Sequence, residues 1–202
     1  MVKIIAGHWK GRRIRTMEGE GYRPATGRVR EALFSMLESR GVQWAGVSVL
    51  DVFAGSGSLG WEALSRGAGQ VWFLENDVRA VRLLREQIFG LALPGQNVRI
   101  LPGDALRTLA KTAPQGFDVL FIDPPYGRDL LASAVRQADV HGWIAPLAVI
   151  CAEVEAGWNW EVMDVFGFEL LVNRLYGQTR ILLWKKTAPK SASPFTPAPS
   201  IP

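Results

Sequence analysis

Val47-Ser48-Val49-Leu50-Asp51-Val52-Phe53-Ala54-Gly55-Ser56-Gly57-Ser58-Leu59-Gly60 is the stretch on which the reading of the fold turns. A short apolar run, Val47 to Val52, passes through a glycine-punctuated turn into a helical pattern over Leu59 to Arg66. Gly55 and Gly57 let the backbone turn tightly and bring its amides close to a ligand, and a helix N-terminus beyond them adds partial positive charge. Gly55-x-Gly57-x-x-Gly60 also matches the nucleotide-binding glycine pattern, and Glu75 follows Gly55 by 20 residues, where a carboxylate can accept both hydroxyls of a ribose. Such a glycine pattern is weak by itself. A strand before it, a helix after it and an acid at the next strand end turn a tight bend into a ligand site.

Downstream, apolar runs and amphipathic segments alternate. Strands are expected at 71–74, 98–101, 119–122 and 147–151, and helices at 78–89, 105–111 and 129–138. This alternation predicts an α/β, Rossmann-like, doubly wound fold. Two β-rich runs, 160–172 and 179–185, joined through Tyr176-Gly177-Gln178, predict a C-terminal antiparallel hairpin completing a mostly parallel seven-stranded sheet. Upstream, Val2 to Ala6 and Trp9 to Arg15 read as a small hairpin, and Val29, Leu33, Met36 and Leu37 form a helical stripe over 28–38, with Thr26 as its N-cap. The organisation expected is a basic N-terminal extension over 1–40, a catalytic unit over 41–186 and a disordered tail over 187–202, which holds five of the twelve prolines.

Composition narrows the function classes. The chain has 202 residues, 48% of them hydrophobic and 21% charged, and its apolar runs are too short to span a membrane, so a cytoplasmic protein acting as a monomer is expected. One cysteine, Cys151, and two histidines, His8 and His141, leave no disulfide framework and no cluster with zinc-ligand spacing, so no metal is expected. Residues 1–40 carry nine Lys/Arg against four acids, whereas the whole chain is only +4, so the remainder sums to −1. A basic segment on a nearly neutral body is the pattern of phosphate-backbone contact, and equally of a solvated face. Trp9, inside that segment, is a candidate for stacking on a base.

A second constellation, Phe121-Ile122-Asp123-Pro124-Pro125-Tyr126-Gly127, ends the fourth strand of the same sheet. In an open parallel sheet, ligands lie outside the carboxyl ends of the strands, so this turn and the glycine loop should face one crevice. Proline nitrogens cannot donate, so the turn offers acceptors: the Asp123 carboxylate and the Pro124 carbonyl. Acceptors without donors suit an exocyclic amino group, whose positive charge builds as a methyl group arrives, and Tyr126 can stack on a flat base. Cys151, set in an apolar strand, reads as packing rather than as a nucleophile for ring-carbon chemistry.

On these residues the chain resembles the class I S-adenosylmethionine-dependent methyltransferases, with Asp123-Pro124-Pro125-Tyr126 as the amino-methyltransferase motif. Ala6-Gly7 through Arg12-Arg13, Arg23-Pro24-Ala25-Thr26, Arg28-Val29-Arg30-Glu31-Ala32-Leu33-Phe34, and Leu50 to Gly60 followed by Trp61 to Ala68 are similar to the bacterial small-subunit ribosomal RNA guanine-N2 methyltransferases of the D type. The likeness runs from about Ile4 to Lys185, with a departure near Gln87, where relatives often carry an asparagine. The resemblance implies that Asp51 and Phe53-Ala54-Gly55-Ser56-Gly57 cradle the methionine end of S-adenosylmethionine. It implies that Glu75, with Asn76 beside it, holds the ribose, that Asp104 and Ala105 meet the adenine, and that Asp123 to Tyr126 hold a flipped guanine. Lys10, Arg12, Arg13, Arg23, Arg28 and Arg30 would face ribosomal RNA, free or within a small-subunit particle. The residues themselves leave other readings open: an NAD-dependent oxidoreductase, which gives Asp123 to Tyr126 no task; a non-catalytic RNA-binding relative; and another amino methyltransferase, acting on adenine or on a protein glutamine. The choice of guanine over adenine comes from the resemblance alone.

Overall fold

The computed structural model describes residues 1–17, 27–91, 98–125, 127, 130–161 and 167–187. In chain order these form β1 (Val2–Lys3), β2 (Arg13–Ile14), α1 (Gly27–Ser39), β3 (Ser48–Val52), α2 (Ser58–Ser65), β4 (Gln70–Glu75), α3 (Val78–Gly90), β5 (Val98–Pro102) and α4 (Ala105–Leu109). The rest comprises β6 (Phe117–Ile122), α5 (Leu130–Val140), β7 (Ile144–Glu155), β8 (Phe168–Tyr176) and β9 (Thr179–Lys186). A seven-stranded sheet runs β5-β4-β3-β6-β7-β9-β8. Its first five strands are parallel, and β9 lies antiparallel between β7 and β8. From β3 the chain winds outward to β4 and β5, then returns to lay β6 on the other side of β3, so the switch point falls between β3 and β6. The doubly wound sheet and its closing hairpin, turning through Gly177-Gln178, are as the alternation of runs predicts.

Side chains alternate across this sheet into two buried layers. Val49, Phe73, Phe121, Cys151 and Leu183 face α1, α2 and α3, while Leu50, Leu74, Ile122, Ile150 and Leu182 face α4 and α5. All five residues of β3 are buried, which is why this strand reads as an apolar run with a single acid in it. Asp51 therefore lies in the core layer, on the same face as Phe121.

The strand at 147–151 is longer than the sequence pattern indicates, extending over Ile144–Glu155. Between Phe117↔Ile144 and Val119↔Val149 the register shifts, and the resulting bulge holds Pro146, which has no amide to give the ladder, and Leu147 at φ 62°. Among the described residues of the run expected at 160–172, strand covers 168–172, and β8 continues to Tyr176. Thr26 and nearly all of the expected tail lie outside the described residues.

The described residues of the first forty, 1–17 and 27–40, pack against the body. Ile4, Trp9, Ile14, Leu33, Phe34 and Leu37 belong to the same buried cluster as Val49 and Phe121. Trp9 is 9% exposed and packs edge-on against His8, so it is a core residue rather than a free stacking platform. Polar groups of α2 fasten the segment. Glu62 accepts from the amides of Ile5 and Ala6 at 2.7 and 2.9 Å, and the Ser65 hydroxyl accepts from the Trp9 amide and donates to the Ala6 carbonyl. Gln87 of α3 donates to the Arg15 carbonyl at 2.8 Å, which gives the departure noted near this position a packing task.

Candidate active site

The glycine loop is built of left-handed turns. Phe53, Gly55 and Gly57 have φ of 61°, 54° and 75°, a region that costs a residue with a Cβ strain unless its surroundings enforce it. The Gly57 amide donates to the Ala54 carbonyl at 2.7 Å, and Gly57 is the N-cap of α2. Gly60 answers a different demand: a Cβ there would lie 2.3 Å from Phe73, so its absence lets α2 settle on β4.

Glu75 ends β4 and is buried. Its carboxylate accepts from the amides of Gly55 at 2.6 Å, Asn76 at 2.8 Å and Asp77 at 2.7 Å, which ties the glycine loop to the end of the neighbouring strand. Asp104 and Ala105 follow β5, the next strand outward, and the Gly103 amide donates to the Glu75 carbonyl. Asp104 is exposed and caps α4 by accepting from the Arg107 amide at 2.8 Å, while Ala105 is buried. The expected cofactor residues Asp51, Phe53 to Gly57, Glu75, Asn76, Asp104 and Ala105 thus gather at the carboxyl edge of β3, β4 and β5.

Asp123 lies at the same edge, one residue beyond β6, with Pro124 buried and Pro125 exposed after it. β3 and β6 are adjacent, Val52 opposite Ile122, so the glycine loop and the Asp123 turn leave neighbouring strand ends. Tyr126 lies outside the described residues, as does Arg23. A cavity of about 280 Å³ opens beside the turn, lined by Pro124, Pro125, Gly127, Leu130 and Trp158 among others. The Gly127 amide donates to Glu155 at 2.7 Å, joining the turn to the last residue of β7.

The electrostatics of this edge are acidic. Burial pushes the Asp51 carboxyl up to about 8, against the Gly60 amide, which donates to it at 3.0 Å. Burial, then the charges of Glu153 and Asp51, raise Asp123 well above the usual carboxylate range. Burial likewise pushes Glu153 up to about 7. Glu153 is missing from the sequence-based expectations. Its signal is a charged residue two positions after Cys151 inside the buried run 148–154. Among the described residues, no group of three or more His, Cys, Asp or Glu is arranged to hold a metal ion, and no helix is long and apolar enough to cross a membrane. Cys151 is buried, and its thiol is pushed up by that burial and by the neighbouring acids.

Asp51 has a consequence for stability. Between its unfolded value of about 4 and its native value of about 8, the folded chain holds a proton that the unfolded chain releases, so stability falls as pH rises through this window. The ligand-free protein is expected to melt at a lower temperature at pH 8.5 than at pH 6. Asp51→Asn, which keeps an acceptor for the Gly60 amide, should flatten that dependence in a thermal-melt series. A slope equal to that of the parent chain would assign the effect elsewhere.

The basic residues divide. Lys10, Arg12, Arg13 and Arg28 are exposed, and Lys10 and Arg28 line a groove of about 580 Å³ between the N-terminal segment and α1. Arg30 departs from the expected RNA-facing position: it is 2% exposed, one helical turn before Phe34, and donates to the Lys3 carbonyl. Burial lowers its pKa and Glu62 opposes that shift, so Arg30 acts as an internal counterion between α1, α2 and the N-terminal strand.

The model of the family described as conserved hypothetical protein 95 matches residues 2–185. The Ribosomal RNA small subunit methyltransferase D of Haemophilus influenzae is 39% identical to the chain over 182 residues, 87% of this chain and 93% of that protein. The solved structure of yhhF from Escherichia coli has a TM-score of 0.80 at 32% identity, covering 93% of this chain and 99% of that one. SMU.776, solved complexed with SAH, shares the fold at a TM-score of 0.61 and 17% identity, over 78% of this chain and 48% of that one. With a match that runs nearly from end to end, and with a glycine loop and an Asp-Pro-Pro turn on adjacent strand ends, the chain belongs to the conserved hypothetical protein 95 family.

Proposed function

We propose that the chain transfers a methyl group from S-adenosylmethionine to the exocyclic N2 amino group of a guanine in small-subunit (16S) ribosomal RNA. The observation that carries the reading is the adjacency of the β3 and β6 ends, which sets a nucleotide-type loop next to a turn whose groups accept hydrogen bonds. Ribosomal RNA comes from the name of the Haemophilus influenzae relative, and guanine N2 from the likeness of the N-terminal arginine motifs.

The site fits a cationic cofactor. Asp51, Glu75, Asp123 and Glu153 are carboxylic acids at one sheet edge, and the first, third and fourth are held above their ordinary pKa. A positively charged ligand lowers the cost of ionising them, whereas the anionic pyrophosphate of NAD raises it. When bound, S-adenosylmethionine supplies a methyl group activated by a sulfonium. The Phe53 to Gly57 loop and Asp51 would orient its methionine end, Glu75 its ribose hydroxyls, and the Asp104-Ala105 turn its adenine. Asp123 and the Pro124 carbonyl would accept from the two N–H bonds of the target amino group, keep its lone pair aimed away from the ring, and stabilise the charge that develops on nitrogen. Tyr126 would stack on the base, which must leave its helix to reach the turn, so loops and bulges are easier targets than duplex. In this reading residues 1–40 carry the RNA-facing surface and 41–186 the chemistry.

Mass spectrometry of ribosomal RNA nucleosides from cells with and without the protein tests the reading. The expected result is loss of one N2-methylguanosine from the small-subunit RNA, and an unchanged nucleoside profile rejects it. Calorimetry should detect S-adenosylmethionine and not NAD. For the RNA surface, Lys10→Gln with Arg28→Gln should reduce the slope of log affinity against log salt by roughly 0.7 for each phosphate that is no longer neutralised. A slope equal to that of the parent chain would return both residues to the solvated face.

A further inference from the structure

Glu153 enters the reading above only as one more acid at the sheet edge, yet its position is specific. β6 and β7 are parallel neighbours, with Phe121 opposite Cys151 and Ile122 opposite Ala152. One step further along that register lie Asp123 and Glu153. Alternation puts Phe121 and Cys151 in one layer and Ile122 and Ala152 in the other, so Asp123 and Glu153 continue the layer of Phe121 and Cys151, at the edge where the reaction would occur. Glu153 is 7% exposed, and its Oε2 atom is buried without a hydrogen-bond partner. An unpartnered buried carboxylate oxygen is costly and is retained where something else uses it. Around it, β9 contributes the uncharged Ile181 directly opposite, β7 the Cys151 thiol and β6 Asp123, while Asp51 of β3 lies on the far side of β6 and bears on Asp123 and Cys151. Among the described residues, no cation figures in the causes that set the ionisation of Asp123 or Glu153.

We propose that Glu153 is a positioning residue that shares a proton with Asp123, so that the two carboxyls act as one dyad and take up the proton released by the target amino group. This inference rests on the methyl-transfer reading. In the step, the nitrogen lone pair forms the new N–CH3 bond as the S–CH3 bond breaks and its electron pair stays on sulfur, leaving a neutral thioether. One N–H bond then breaks, its electron pair restores the nitrogen lone pair, and the proton passes to the Asp123 carboxylate while the proton already on the pair stays on Glu153, so that both carboxyls end protonated. The dyad gains one proton and the product amine is neutral. Two desolvated acids side by side, Glu153 buried and Asp123 half-buried, cannot both ionise cheaply, which keeps one proton on the pair in the resting site and separates its two titration steps.

The test uses the full chain and Glu153→Gln, which preserves shape and removes the charge. Carbon-13 NMR of labelled carboxyls in the cofactor-free protein should show Asp123 titrating in two coupled steps in the parent chain. In Glu153→Gln it should titrate in one step at least about one pH unit lower, because the neighbouring charge is gone. Single-turnover methylation of small-subunit RNA should fall at least about tenfold near neutral pH in the variant, with KM for RNA unchanged and with the acid-side midpoint of its pH profile following the NMR shift. Glu153→Asp, which restores a carboxyl, should recover the two-step titration. An Asp123 titration unmoved by Glu153→Gln overturns the dyad, as does a rate loss confined to KM with the pH profile in place. If the parent chain methylates no guanine, the function reading fails by itself, while the NMR titration still decides whether the carboxyls are coupled.

Discussion

Asp123→Ala is expected to lower the single-turnover rate of methyl transfer by about 10³-fold or more, in keeping with the loss of a positioned acceptor at the reacting centre. The position allows no ready substitute. Asp123 follows the buried end of β6, is flanked by a proline with no amide, and has the central β3 beside it, so a water-filled gap would replace the carboxylate without its orientation. Affinity for S-adenosylmethionine should stay within a few-fold, because the glycine loop and Glu75 are fixed by their own hydrogen bonds. Asp123→Asn, which keeps one acceptor and loses the charge, should fall between the two. Radiolabelled methyl transfer together with calorimetry separates the effects. A variant that turns over near the parent rate would remove Asp123 from the chemistry, and one that loses rate and cofactor affinity in equal measure would make it a cofactor ligand.

Gly7→Ala carries the second large effect, on architecture rather than on chemistry. A Cβ at Gly7 would sit 1.8 Å from the Ser65 carbonyl oxygen and 2.2 Å from its carbon, at φ +78°. Both neighbours are backbone, so the N-terminal segment must lift off α2. Lifting it breaks the hydrogen bonds from the Ile5 and Ala6 amides to Glu62 and leaves that buried carboxylate with only the charges of Arg66 and Arg30. Left-handed strain of about 1–2 kcal/mol adds to the cost of those broken hydrogen bonds. The expected fall in Tm is about 10 °C for a chain of this size, with RNA affinity reduced more than tenfold and cofactor affinity little changed. Gly67→Ala is the matched control: its φ is +113° and nothing lies within 4 Å of an added Cβ, so it should show the strain without the detachment. Equal losses in the two variants would mean that strain, and not the collision with Ser65, sets the effect.

Much of the fold was legible because the body follows rules that act over a few residues. Apolar runs marked the strands from Val47 to Val52 onward, glycines marked the first turn, and paired prolines marked the end of β6. The candidate site residues Asp51, Glu75 and Asp123 are local in the same sense, since they lie at or next to the ends of β3, β4 and β6 and the parallel sheet gathers strand ends. What the sequence concealed depends on partners far along the chain. Arg30 looks like one more exposed cation among Arg28 and Arg40, and only the Lys3 carbonyl and the charge of Glu62 make its burial tolerable. Trp9 lies among basic residues but closes the core next to Ile4 and Ile14. Glu153 resembles any acid in an edge strand until β9 is inserted between β7 and β8 and buries it. The long β7 was hidden because Pro146 reads as a break, although a bulge absorbs it.

Helix α2 spans only eight residues, about 12 Å at the usual rise per residue. Its opening turn emerges from the loop proposed for the methyl donor, and its second half, through Glu62 and Ser65, grips the connection between β1 and β2, beside the exposed basic residues. The two ligands would therefore be handled from opposite tips of a single stiff rod. Were binding of one to shift that rod, no hinge would separate it from the other, and thermodynamic reciprocity would make the effect on affinity equal in both directions.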